Sequence, residues 1–204
     1  IRDSSTGTCA NFGTNPANFN INTSNLICEA WVYIPSITSS ISMIATSNVN
    51  AFQTDYNNWM LFVSSSTGAP RFHFSVANNA GGLALNSVVG GPPNIQSAQW
   101  NHLVWIIDSA NSKYNAALNG SWVGGGSYTG PFYSDTSSPF GIGGSLKNST
   151  IYILDGYIRD LRIVKGGVIT TSSSFTPDAA PFSPSSLPSY VTGGTTVFTL
   201  NNPY

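Results

Sequence analysis

Only 7% of the 204 residues are Asp, Glu, Lys or Arg and the formal net charge is −1, where an ordinary soluble domain carries about 25% charged residues. With no run of Lys or Arg the chain has no electrostatic footprint for nucleic acid or anionic lipid, and no stretch approaches the roughly 20 apolar residues that span a bilayer. Nucleic acid and membrane insertion are therefore excluded as partners, and the surface must be built from Ser, Thr, Asn and Gly, without the like-charge repulsion that separates copies.

A hydrophobic content of 41%, with 12% aromatic, is enough to fill one sizeable core. The chain begins at Ile1 with IRDSSTG, which is no signal peptide, so a trimmed chain is expected whose targeting segment has gone. In chain order, strand-sized runs follow at LICEAWVYI (26–34), ISMIAT (41–46), WMLFVS (59–64), RFHFSVA (71–77), LALNSVV (83–89), HLVWIID (102–108), YNAALNG (114–120), IYILDGYIRDLRIV (151–164) and TVFTL (196–200). Between them lie SSSTGAP, NNAGG, GGPP, SANSK and GGGSYTG, whose Gly, Asn and Pro supply tight-turn geometry. Short strands without a helical period predict an all-β, two-sheet antiparallel sandwich, and PPNIQSAQ (92–99) predicts one short helical turn. Within LICEAWVYI, alternation places Leu26, Cys28, Ala30 and Val32 on one face and Glu29 and Trp31 on the other. Pro177, Pro181, Pro184 and Pro188 make the tail an extended strap before the terminal strand. The expected organisation is a sandwich over 1–174 and a strap with a terminal strand over 175–204.

Three runs carry a resemblance: NFNINTSNLICEAWVYIPS with its Glu-Ala-Trp-Val element, WNHLVWIIDSANSKYNAALNGSWVGG with Trp-x-His and a Leu-Asn-Gly turn, and FGIGGSLKNSTIYILDGYIRDLRIVKGGVI. In this order they resemble the laminin-G-like, concanavalin-A-like jelly rolls over most of residues 19–169. The tail FTPDAAPFSPSSLPSYVTGGTTVFTL resembles segments that follow such domains in phage and other viral surface proteins. The resemblance implies a jelly roll whose members include lectins, hydrolases and structural modules, and it makes strand 26–34 a neighbour of 157–164. Glu29 would then pair structurally with Arg159 or Arg162. At the front the family's full apolar strand is shortened to SSTGTCANF, which leaves an edge to be closed by TVFTL of the same chain or of a neighbouring copy.

Candidate chemistry is sparse. Glu29 is the only glutamate, and glycoside hydrolysis needs two carboxylates across the scissile bond, so no enzyme is expected. His73 and His102 lie on different strands without a third ligand or a spaced nucleophile. No cofactor and no metal site are expected; calcium is the one ion the composition leaves open, at Asp55 with Asn57 or at Asp135. Trp59, after DYNN, and Trp122, in what reads as a glycine-flanked loop, with Tyr128, are the candidate sugar platforms. Asn22, Asn119 and Asn148 head Asn-x-Ser/Thr acceptors. Cys9 and Cys28 are either a disulfide or two free thiols. The composition and resemblance together point to an extracellular or virion-surface structural module that assembles with copies of itself. The alternative is a lectin-like domain that binds glycans, and a hydrolase is the remote third.

Overall fold

The computed structural model describes residues 10–14, 24–36, 42–48, 57–64, 69–74, 95–129, 139–144, 154–170, 174–180, 182–183 and 185–200. The strands are β1 (Ala10–Thr14), β2 (Leu26–Tyr33), β3 (Ser42–Asn48), β4 (Asn57–Ser64), β5 (Ala69–Phe74), β6 (Trp100–Asp108), β7 (Lys113–Leu118), β8 (Ser121–Ser127), β9 (Pro139–Ile142), β10 (Tyr157–Lys165), β11 (Val168–Ile169), β12 (Val191–Thr192) and β13 (Thr195–Leu200). One sheet runs β1-β9-β3-β4-β5, the other β13-β10-β2-β6-β7-β8, and β11 pairs with β12 as a small clip. The pairings within the sheets are antiparallel. The protein is an all-β jelly-roll sandwich.

Alternation decides which side chains meet. Leu26, Cys28, Ala30 and Val32 of β2 pack inward with Leu103 and Trp105 of β6 against Leu61, Val63, Phe140 and Ile142 of the opposing sheet. The other parity of the six-stranded sheet, Ile27, Val104, Ile106, Ala117 and Val164, forms a second cluster with Tyr190 and Val191. That second layer is the strap: its described residues between Phe175 and Val191 cross the outer face of the sheet and bury the part formed by Ile27, Val104, Ile106, Ala117 and Val164. It explains why β2 and β6 are buried almost without alternation, as strands covered on both faces are.

The terminal strand β13 lies beside β10 of its own chain and forms one edge of the six-stranded sheet. The β11–β12 clip ties the end of the strap to the end of β10, through Val168 opposite Thr192 and Ile169 opposite Val191.

Several expectations change on contact with the structure. SWVGGGS is strand β8, not a loop. Asn119 and Gly120 have φ of 50° and 83°, the two positive angles of a two-residue I′-type hairpin, so pairing resumes at once with Ser121 opposite Leu118. The glycines are tolerated there because β8 is an edge strand with one partner. The stretch 151–164 is not one strand: β10 begins only at Tyr157, after a bend at Asp155 and Gly156, where Gly156 lies against the Tyr33 carbonyl too closely for a Cβ. The described part of 92–99 makes a non-helical turn at Ser97 and Ala98, the latter at φ 57°, with the Ala98 N–H donating to the Ile34 carbonyl at 2.8 Å. The run 83–89 lies outside the described residues.

The Asn119-Gly120 turn also seats the strap. The Phe175 N–H donates to the Gly120 carbonyl at 2.9 Å, and a Cβ on Gly120 would overlap the Phe175 carbonyl oxygen. Gly120→Ala is expected to destabilise the protein by more than about 1 kcal/mol, from the positive φ together with the displaced strap. Urea denaturation checks this, and an unchanged midpoint would show that the strap is not held at this turn.

Candidate functional site

The outer face of the six-stranded sheet is laid out in cross-strand rows. Tyr157, Tyr33 and Trp100 are opposite one another on β10, β2 and β6. Arg159, Trp31 and His102 make the next row, and Arg162, Glu29 and Val104 the one after. Arg159 and Arg162 are three residues apart and in a regular strand would point to opposite faces. They share one face because β10 shifts register between them, with Asp160 at φ 54° as the extra residue of a bulge.

The strap closes over the Glu29 row. Arg162, fully buried, donates from Nε to Glu29 Oε1 at 2.5 Å, and its Nη2 meets the same oxygen. Its Nη1 donates to the Ser186 carbonyl at 3.1 Å and to Ser186 Oγ at 2.8 Å, while Nη2 also faces Asp178 Oδ2 at 3.4 Å. The guanidinium sits 4.1 Å from the Phe182 ring centroid. Tyr190 donates its hydroxyl to Glu29 Oε2 at 2.6 Å, and His102 Nε2 faces the same oxygen at 3.4 Å.

Burial alone would raise the Glu29 carboxyl, but His102 beside it, the Arg162 guanidinium and the Tyr190 hydroxyl outweigh burial and hold it below the usual range. Burial, reinforced by the Glu29 charge, drives the Tyr190 phenol well up, so Tyr190 stays a donor. Glu29 is thus an ionised, 2% exposed residue engaged on both oxygens. It anchors the strap and presents nothing to a ligand.

The Tyr157–Tyr33–Trp100 row is left uncovered. Trp100 is 38% and Tyr157 39% exposed, and Tyr33 lies between them with ring centroids at 5.7 and 5.9 Å. The Arg159 guanidinium bridges this row to the next, 5.1 Å from the ring centroids of both Trp31 and Trp100, and its Nε faces Asp160 Oδ2 at 3.1 Å. Burial raises the Asp160 carboxyl, and Arg159 draws it back in part. The Trp31 indole donates Nε1–H to the Asp178 carbonyl at 3.1 Å, so the strap borders the aromatic surface directly. The result is an aromatic face with one guanidinium across it and a polar wall along one side, an arrangement that can stack on planar or C–H-rich ligand faces.

The residues singled out from sequence fall elsewhere. Trp122 is a half-buried β8 residue whose ring meets Phe175 and Tyr190 at 5.5 and 5.7 Å, so it holds the strap and is no loop platform. Tyr128 is 7% exposed within the inter-sheet core, and burial, with Asp108 nearby, pushes its hydroxyl up to about 12; it offers no ligand face. Trp59 lies on β4 opposite Phe74. Asn119 is exposed, but its Oδ1 accepts from the His102 N–H at 2.8 Å. Asn22 and Asn148 lie outside the described residues.

Cys28 is a thiol whose side chain points into the sandwich, where burial keeps it protonated; Cys9, the other half of the disulfide reading, is outside the described residues. Asp55 and Asp135 are likewise outside them, and no group of three or more His, Cys, Asp or Glu gathers among the described residues. Nor, among these, is any helix long and apolar enough to cross a membrane. The aromatic face itself was legible as parity. Trp31 and Tyr33 alternate on one strand and Tyr157 and Arg159 on another, which is the signal of a single outward-facing surface.

The class these features define is a two-sheet antiparallel sandwich with a lectin-type jelly roll and a strap over its outer face. Residues 6–170 match a laminin-G-type family model described as the concanavalin A-like lectin/glucanases superfamily, and the chain belongs to that superfamily.

A search of curated proteins found no match. Among solved structures, the chain is similar to a Bacteroides ovatus protein assigned to carbohydrate binding, at 17% identity and TM-score 0.52, over 76% of this chain and 40% of that one. It is similar to domain 4 of an extracellular arabinanase from Geobacillus stearothermophilus, solved with arabinotriose, at 16% identity and TM-score 0.53, over 82% and 71% of the two chains. It also resembles the CBM40 of a Ruminococcus gnavus IT-sialidase, at 12% identity and TM-score 0.51, over 76% and 88%. The chain thus spans less than half the length of the first of these structures.

Proposed function

We propose that the protein is a non-catalytic, extracellular carbohydrate-binding module that holds a glycan on the Tyr157–Tyr33–Trp100 row. The observation that carries the reading is the row itself: the strap covers the Glu29 row and the apolar cluster around Ile27, Val104 and Ile106 and stops short of two large exposed aromatic rings. Leaving such rings in water forgoes burial worth about 1.5–3 kcal/mol each, and an exposed aromatic surface beside fixed polar groups marks a binding site. Superfamily membership and the carbohydrate-binding assignment of a similar structure point the same way. Trp100→Ala is expected to weaken glycan binding by at least about tenfold, equivalent to ~1.4 kcal/mol, with the fold retained. Calorimetric titration of the best ligand from a glycan array checks it, and equal affinity of the variant would overturn the site.

A second reading, a structural module of a fibre or virion that packs against copies of itself, is supported by the 7% charge content. Sedimentation across a hundredfold range of concentration tests it, and a monomer throughout would discard it.

A further inference from the structure

We infer that the glycan held on this face is electrically neutral and that Asp178, carried by the strap, sets that preference; the inference rests on the carbohydrate-binding reading and adds to it the charge class of the ligand. Residue 178 lies beyond the family-matched residues 6–170. Its position is fixed from two sides. The Asp178 main-chain carbonyl accepts from Trp31 Nε1 at 3.1 Å, and Oδ2 is 3.4 Å from Arg162 Nη2. The side chain is nevertheless 51% exposed, so a carboxylate faces solvent beside the ring that Arg159 covers.

The charge around the face is unfavourable to an anion. Among the described, ion-paired residues at the two covered rows, three carboxylates, Glu29, Asp160 and Asp178, stand against two guanidiniums, Arg159 and Arg162, a balance of −1. Both guanidiniums are already engaged. Arg162 is buried between Glu29, Ser186 and Asp178, and Arg159 lies across two indoles with Nε at Asp160. An anionic sugar would bring its carboxylate up to Asp178 and would compete with Asp160 and the two indoles for Arg159. A neutral sugar meets the opposite situation. Its C–H face stacks on the exposed rings, and its hydroxyls donate to the Asp178 carboxylate in charge-assisted hydrogen bonds.

The test uses the full chain and its Asp178→Asn and Asp178→Lys variants, titrated with neutral gluco-, galacto- and arabino-oligosaccharides and with two anionic probes, sialyllactose and an oligogalacturonate. The native chain is expected to bind at least one neutral probe about tenfold or more tighter than either anionic one. Asp178→Asn, which keeps the Trp31 contact, should weaken neutral binding severalfold, and Asp178→Lys should shift the neutral-to-anionic affinity ratio toward the anionic probes. The ratio reports selectivity, which a merely structural loss of the strap would not reverse. Anionic probes bound as tightly as neutral ones, still dependent on Trp100, would overturn this inference and leave the carbohydrate-binding reading standing; so would an Asp178→Asn variant without effect. Binding of neither class, or a dimer abolished by Trp100→Ala in place of any glycan complex, would overturn both.

Discussion

Arg162→Met is expected to lower the unfolding free energy by about 3–5 kcal/mol, because it leaves Glu29 ionised and buried without its guanidinium. Few single changes elsewhere on the outer face should approach this. Arg162 connects β10 to Glu29 on β2 and to Ser186 and Asp178 on the strap, so the variant loses the link between sheet and strap as well as the pair. Arg159→Met on the same face is the control. Its side chain is 18% exposed and its partner Asp160 adjoins it in sequence, so a smaller cost than that of Arg162→Met is expected. In the double variant Glu29→Gln/Arg162→Met neither charge is stranded, and the loss should be well below the sum of the two single losses. Urea denaturation of the native chain, the three single variants and the double variant decides the matter; equal costs for Arg162→Met and Arg159→Met would mean that the buried pair does not organise the strap.

Acid is expected to release the strap before the inter-sheet core opens. The folded-state Glu29 carboxyl is held below its ordinary value, which is about 4.3 in an unfolded chain. A depressed carboxylate binds protons less readily folded than unfolded, so its contribution to stability is complete above that unfolded value. The contribution falls away as pH drops through the lowered folded value. Asp160 acts with the opposite sign: its folded carboxyl is raised, so it opposes folding at neutral pH and that opposition fades on acidification. The Glu29 site should dominate because its protonation also breaks the Arg162 and Tyr190 contacts that hold the strap. Urea midpoints from pH 7 to pH 3 should therefore fall, most steeply below the ordinary glutamate range. Glu29→Gln should start lower and fall less, and a parallel fall in that variant would assign the acid sensitivity to other groups. Quenching of the strap-covered Trp122 relative to Trp105 in the core, read with single-Trp variants, would show which layer opens first.

How much of this was legible beforehand depended on whether a property is local. Strand positions, the inward set Leu26, Cys28, Ala30 and Val32, and the outward Glu29 and Trp31 follow from a period of two, and the structure places each of them so. The β8 hairpin was obscured because three glycines read as turn residues, although the Asn-Gly pair that forces the strands together was in view. Trp122 and Tyr128 were set among glycines and small polar residues and looked exposed. What buries them lies far away in the chain: Phe175 and Tyr190 for Trp122, the opposing sheet for Tyr128.

By itself, then, the sequence determined the sandwich class, the parity of its central strands and the charge-poor surface, and the family resemblance added the restriction of Glu29 to a neighbour on the closing strand. Only the tertiary structure chose between Arg159 and Arg162. The choice turns on one inserted residue: the bulge at Asp160 brings both arginines to the outer face, leaves Arg162 opposite Glu29 and sets Arg159 among Trp31 and Trp100. The strap completed the division, since its path decides which outward side chains are buried and which face solvent. A pattern read residue by residue records the parity of a side chain, but whether that face meets water depends on a segment some 150 residues further along the chain.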